Sequence, residues 1–396
     1  MSFSELPGQG NPELFRVLFE IFSDPKRLQW ELASELARHT ASEADGPENV
    51  DPLARMRMEE ICKVADMHVS SSTGLDTTVG GKLITPEAVS APEWAVRTLA
   101  AWQPLLSVIV ESHTQPIGPI ESTEFPDGTP PNLAKIFGQA AQAIGPAMLG
   151  MQLGTSIGFL ARRAMGQYEL PIPRPQSAQL LFVTGNISAF AEDWSLPLDD
   201  VFLWVSVREI ALHTVLGIAH VRDRINSTLE DYARKFSPDP NVVEDRLNSL
   251  DFSGLTDIED LQKAFGDPSE MLNRMITPEQ RDSMELASAL VAVVEGWVDH
   301  ITEKIGRSLI SSFGPLDEAL RRQRVVRGEG EKYIDLLFGL TMDQDQFDRG
   351  NAFVKGVLER SGEEGLARLW TRAEHLPTPA EADAPGLWLE RISYLS

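Results

Sequence analysis

Cysteine is almost absent from this sequence: Cys62 stands alone among 396 residues. A single thiol forms no intramolecular disulfide and supplies no thiolate metal cluster, so a reducing compartment and a cytoplasmic location are expected. Positive charge is also in short supply. Thirty-five Lys and Arg face 59 Asp and Glu, for a net charge of −24, which repels phosphate backbones and anionic lipid headgroups and argues against general nucleic-acid binding. No long apolar run occurs. The least polar stretch, 140–161, is interrupted by Gln142, Pro146, Gln152, Thr155 and Ser156. It falls short of the about 20 apolar residues that a spanning helix needs, so a buried helix and no membrane partner are expected. Met1 to Gly8 lacks the basic start and apolar stretch of a secretory signal. Also missing are a G-x-S-x-G elbow, a third glycine or preceding strand at Gly328-Glu329-Gly330, and any internal repeat. These absences argue against nucleophile-elbow hydrolases, phosphate-loop enzymes and solenoids.

What is present is helical periodicity. Apolar residues recur at helical spacing over 12–36, 52–73, 92–111, 200–236, 278–305 and 331–338, which predicts a mainly α fold. Pro92 and Pro278 suit a first helical turn, where the missing N–H has no partner to lose. Gly150, Gly154 and Gly158 place three side-chain-free positions on one helix face and predict close approach of another helix. Gln179 to Thr184 is the best strand candidate, closed by the turn residues Gly185-Asn186, so at most a small sheet or hairpin is expected. At roughly 150 residues per domain the length suggests two or three. The Pro/Gly-rich run from Thr114 to Pro131 divides an N-terminal helical region, 1–125, from a second helical region, 126–396, although one unit is also compatible with this pattern. The stretches 251–267 and 377–385 read as exposed connectors.

Two helical segments carry titratable groups among apolar neighbours. On a helix advancing about 100° per residue, Glu209, His213 and His220 fall within about 40° of one another, alongside Phe202, Val205 and Leu216. Burying such groups costs several kcal/mol unless they are paired or bound to a metal. In the second segment, the apolar stretch 286–294 ends in Glu295-Gly296-Trp297-Val298-Asp299-His300, which places the Glu295 carboxylate inside. Helical metal sites draw an i, i+4 pair from one helix and a further ligand from another. Glu209, His213 and Glu295 fit that description, and an internal polar network without metal is the simpler account of them.

At these segments the chain resembles a bacterial, actinobacterial-type zincin-like family of hydrolases, described as zinc-dependent metalloproteases and sometimes linked to deazaflavin-cofactor biosynthesis. The resemblance runs through Gly166-Gln167-Tyr168-Glu169-Leu170-Pro171, Leu203-Trp204-Val205, Val294 to His300, Gly350 to Val354, Leu369-Trp370, Leu376-Pro377-Thr378 and Trp388 to Arg391. It implies a zincin-like helical core and a zinc cofactor held by H-E-x-x-H, whose Glu activates a metal-bound water. Here the corresponding string is Arg208-Glu209-Ile210-Ala211-Leu212. Glu209 keeps the general-base position, both histidine positions are lost, and Glu295 matches the family's third ligand. A guanidinium at Arg208 repels a dication and can neutralise Glu209 in its place.

Two readings follow from that departure. In the first, the zinc site is degenerate, no cofactor is bound, and the protein holds a peptide or protein partner in an inherited cleft. In the second, Glu209, His213 and Glu295 form a non-standard zinc site in an active hydrolase, with His220 or His300 nearby. Arg208, Trp204 and Trp297 flank the cleft in either case. The cluster Arg321-Arg322-Gln323-Arg324 reads as a solvated face. His68, His113 and His375 have no carboxylate at helical spacing, and these three and His39 receive no role.

Overall fold

The computed structural model describes residues 25–42, 50–113, 149–235, 276–325 and 328–395. The described chain is mainly α, as its periodicity predicts. In order it comprises α1 (Pro25–Ser42), α2 (Pro52–Thr73), β1 (Thr85–Val89), α3 (Ala91–His113), α4 (Leu149–Ala161), β2 (Gln179–Val183), α5 (Thr184–Asp193), α6 (Leu198–Gly217), α7 (Ala219–Arg234), α8 (Pro278–Leu309), α9 (Phe313–Val325), α10 (Glu329–Leu337), α11 (Gln344–Ala367), α12 (Pro379–Asp383) and α13 (Pro385–Ser393). The two strands pair in parallel, Thr85 opposite Gln179 through Val89 opposite Val183. The N-terminal and C-terminal regions therefore share a sheet, and one apolar core runs through both. The Pro/Gly-rich run at 114–131, the connector at 251–267 and the predicted helical turns before residue 25 lie outside the described residues.

The long helix α8 is the axis against which α6, α7 and α11 pack. It starts at a capping box in which Thr277 accepts from the Gln280 N–H and Gln280 accepts from the Thr277 N–H, with Pro278 in the first turn. Its approach to α11 is at backbone distance. A Cβ on Gly350 would sit 1.9 Å from the Ala292 carbonyl oxygen, and one on Gly296 would meet Gly350 itself. The small-residue face of α4 behaves as predicted: Cβ atoms on Gly150, Gly154 and Gly158 would collide with α1 at Gln29, Ala33 and Ala37.

Several boundaries differ from the sequence reading. The segment 200–236 is two helices, bent by 83° at Ile218. The end of α6 is stabilised from outside, because the Gly217 carbonyl accepts from the Gln176 and Arg222 side chains. Gly185-Asn186 is no turn. The chain passes from β2 directly into α5, and the Asn186 amide donates to the carbonyls of Ala161 and Ala164, closing the open end of α4. The stretch 377–385 forms α12 through a Thr378/Glu381 capping box, with Glu381 and Ala382 buried rather than exposed. No single helix among the described residues is long and apolar enough to cross a membrane; α6 with α7 passes that test only as a pair broken by the bend.

Candidate functional site

Helix α6 is apolar nearly all round and is buried along most of its length. Its first turn is tied at two points. Asp200 accepts from the Ser312 N–H and from the Ser311 and Ser312 hydroxyls, and Asp199 pairs with Arg57 of α2 at 2.9 Å. This fixes the rotation of the helix and so the directions of Arg208 and Glu209, which project from its third turn.

Arg208 reaches across to α8. Its two terminal nitrogens donate to the two oxygens of Glu295 at 2.8 and 3.0 Å, a fork-on-fork pair in which Glu295 is 1% exposed. One turn further along α8, Asp299 takes the same bidentate arrangement from Arg324 of α9, at 2.9 and 2.8 Å. The four groups, two cations and two anions, span three helices. Burial works against the charge of Arg208, but Glu295 and Asp299 more than offset it and hold the guanidinium's pKa above its usual range. Burial likewise works against Asp299, and Arg324 brings its carboxyl below the usual carboxylate range. Arg324 is thus a network member, whereas Arg321 and Arg322 are exposed and paired with Asp317 and Glu318 as a solvated face requires.

Glu209 turns away from this pair. Its Oε2 accepts the backbone N–H of Tyr168 at 2.9 Å, and its carboxylate lies flat against Gly166, where a Cβ would come within 2.2 Å of Cδ. Glycine at 166 is what admits the carboxylate. Burial pushes its pKa up to about 7, opposed by the positive charge of Arg208 and by the Tyr168 N–H. The guanidinium therefore pairs with Glu295 in hydrogen-bonded contact, and acts on Glu209 only through its field.

His213, one turn on from Glu209, meets the other end of the same tyrosine: its Nδ1 is 2.9 Å from the Tyr168 hydroxyl. Burial lowers its pKa, and the imidazole's tautomer sets which of the two groups donates. Tyr168 separates Glu209 from His213 rather than bringing them to one point. His220 sits beyond the bend at Ile218 and leaves the stripe that a continuous helix would have given it. His300 pairs with Glu363 at 3.1 Å and is partly exposed. Among the described residues, no group of three or more His, Cys, Asp and Glu side chains converges as metal ligands would.

Two adjoining cavities open over this network. The smaller, about 90 Å3, is lined by Gly166, Tyr168, Arg208 and Glu209 on one side and by Arg163, Gln323, Arg324 and Glu331 on the other. The larger, about 400 Å3, runs between α8, α9 and α11 past Asp299, His300 and Asn351. Trp204, Leu320, Arg324 and Phe347 line both. Trp297, by contrast, is a core residue, packed edge-on against Trp370 at 5.3 Å. The sequence reading missed Tyr168, Gly166, Asp299 and Arg324. Gly166 and Tyr168 lie in a segment that carries the family resemblance, and Asp299 had a local signal, its i, i+4 spacing from Glu295 on a buried helix face. A buried cation, Arg174, stands behind the site over the rings of Trp94 and Trp102 and donates to Thr98 and the Gln167 carbonyl.

The model of the zincin-like metallopeptidase family matches residues 28–389. A crystal structure from Chloroflexus aurantiacus, described as "a putative hydrolase with a novel fold", superposes with a TM-score of 0.59 at 21% identity, over 92% of this chain and 98% of that one. This likeness shows a shared fold. No curated protein matches the sequence.

Proposed function

From the premise that this chain belongs to the zincin-like metallopeptidase family, we propose that it is a zincin-like protein of metal-dependent hydrolase type whose zinc site has been lost, and that it acts by binding a peptide or protein segment in the inherited cleft. In the family's hydrolases, zinc polarises a carbonyl and lowers the pKa of a bound water. The residues present here do not fit that ion. The observation that carries the reading is the bidentate Arg208–Glu295 pair: a guanidinium stands at a ligand position and uses both oxygens of the carboxylate that matches the third ligand. A dication at that point would meet a fixed positive charge and a Glu295 whose two oxygens are both taken. Leu212, at the second ligand position, has no donor atom, and His213 is turned to Tyr168.

With the charge requirement met internally, the cleft retains features that suit binding. It has two adjoining cavities, an aromatic wall at Trp204 and Phe347, and a buried carboxylate at Glu209. The test is metal analysis of the purified chain after incubation with excess zinc and gel filtration, together with hydrolysis of an unstructured peptide mixture. The reading predicts less than about 0.1 zinc per chain and no zinc-dependent cleavage. Stoichiometric zinc that disappears in His213→Ala would establish the non-standard site at Glu209, His213 and Glu295 instead.

A further inference from the structure

The smaller cavity offers an unusual pair of neighbours, a donor and an acceptor that are both anchored from behind. Arg208 has five N–H groups and gives two of them to Glu295, while its side chain lines the cavity. Glu209 commits Oε2 to the Tyr168 N–H, and its Oε1, the oxygen beside Gly166, has no hydrogen-bond partner among the described residues. A Cβ at Gly166 would stand 2.5 Å from that oxygen, so the glycine leaves it uncovered. At about 90 Å3 the space holds roughly three water volumes, enough for a small polar group but not for a folded element.

The chemistry of these two neighbours selects the ligand group. A carboxylate satisfies Arg208 and is repelled by Glu209. An ammonium satisfies Glu209 and is repelled by Arg208. A hydrocarbon leaves Glu209 Oε1 and the remaining N–H groups of Arg208 without partners. A primary carboxamide carries an acceptor and a donor on one edge and satisfies both at once. We infer that the smaller cavity binds a primary carboxamide, its carbonyl accepting from Arg208 and its N–H donating to Glu209 Oε1, with the remainder of the ligand in the larger cavity across Trp204 and Phe347. The inference rests on the reading of the cleft as a peptide-binding site and names the group that the site recognises. Both an Asn or Gln side chain and an amidated chain end carry this group.

The experiment compares propionamide with propionate by saturation-transfer NMR at pH 8, in the full-length protein and in Glu209→Gln. In the unmodified protein propionamide binds more tightly than propionate by about tenfold or more, the value of one hydrogen bond to a charged group. In Glu209→Gln the new amide's oxygen accepts from Tyr168 and its NH2 replaces Oε1 at the cavity wall. The wall beside Arg208 then presents a donor where it had an acceptor, while Glu169 and Glu331 remain in the lining, and the order reverses in favour of propionate. A structural role for Glu209 would weaken both probes together and leave their order unchanged. An unchanged order in the variant, a preference for propionate in the unmodified protein, or no binding of either probe up to about 50 mM overturns the inference. Acetyl-Leu-Gln-N-methylamide against acetyl-Leu-Leu-amide then separates a side-chain amide from a terminal one. Zinc retention in the metal analysis would defeat the proposed function, and the probes are compared on chelator-treated protein, where Glu209 is free of metal, so the two failures are distinguishable.

Discussion

Removing one partner of the Arg208–Glu295 pair should cost far more than removing both. Glu295 is 1% exposed and the Arg208 side chain 13% exposed, so neither is solvated once its partner is gone. Replacing one partner of a buried pair costs about 3–5 kcal/mol, while replacing both with apolar side chains of similar size is often neutral or stabilising. Here Arg208→Met leaves a buried carboxylate without its hydrogen-bonded partner, and Glu295→Met leaves a guanidinium whose remaining anions nearby are Asp299, already engaged by Arg324, and Glu209. The charge on Arg208 also reaches Glu209, so part of the single-variant loss passes through that carboxyl. At about 2.1 cal/mol/K of unfolding entropy per residue, 396 residues give about 0.8 kcal/mol/K, and a loss of about 4 kcal/mol lowers the unfolding midpoint by about 5 °C. A double-mutant cycle by calorimetry at one pH and salt concentration measures the coupling. The expected result is two singles each about 4–6 °C below the parent and a double variant above either single. Two small additive losses would refute the claim that the guanidinium and the carboxylate depend on each other.

Other consequences follow from the same geometry. The carboxyl of Glu209 has its folded pKa raised to about 7 by burial, so its contribution to stability is full below the unfolded carboxyl range and is lost as pH rises through about 7, a change on the order of 3 kcal/mol. Glu209→Gln removes this dependence, and its melting temperature should match the parent near pH 4 and exceed it at pH 8; a difference that stays flat across that range contradicts the assignment. Gly350→Ala forces a methyl group to within 1.9 Å of the Ala292 carbonyl oxygen and should destabilise by about 1–3 kcal/mol or more. Gly217→Ala, with nothing within 4 Å of the new Cβ, should be neutral or stabilising by up to about 1 kcal/mol in the same melts. Equal effects from the two would mean that α8 and α11 do not cross at backbone distance.

The helical architecture is legible wherever local rules coincide with packing. Pro92 and Pro278 lie in the first turns of α3 and α8 as their missing N–H groups suggest, and the glycines of α4 face α1 as their spacing requires. Local rules fail where a remote side chain decides. The bend at Ile218 has no proline, and the carbonyl it exposes is satisfied by Gln176 from another part of the chain. Asn186, a turn former by type, serves instead as a cap for α4. At the site, the inward positions of Glu209 and Glu295 could be read from their apolar flanks, because a buried carboxylate after nine nearly apolar residues has few other places to go. What each carboxylate binds could not be read. Arg208 lies next to Glu209 in sequence, yet a helix separates neighbours by about 100°, and this rotation sends the guanidinium to α8 and the carboxylate to the 166–168 segment. The i, i+4 relation of Glu209 and His213 is real, but Tyr168 enters between them from a loop whose path no periodicity encodes.

The central claim is that a guanidinium stands where the family's hydrolases hold zinc, and the most direct measurement is zinc titration by calorimetry of Arg208→His combined with Leu212→His. That double substitution restores two imidazoles one turn apart around Glu209 and frees Glu295 as the third ligand. The account predicts about one zinc bound per chain in the double variant and none in the parent under the same conditions. A parent that takes up zinc stoichiometrically, or a rebuilt site that takes up none although its fold and melting temperature are intact, would contradict it.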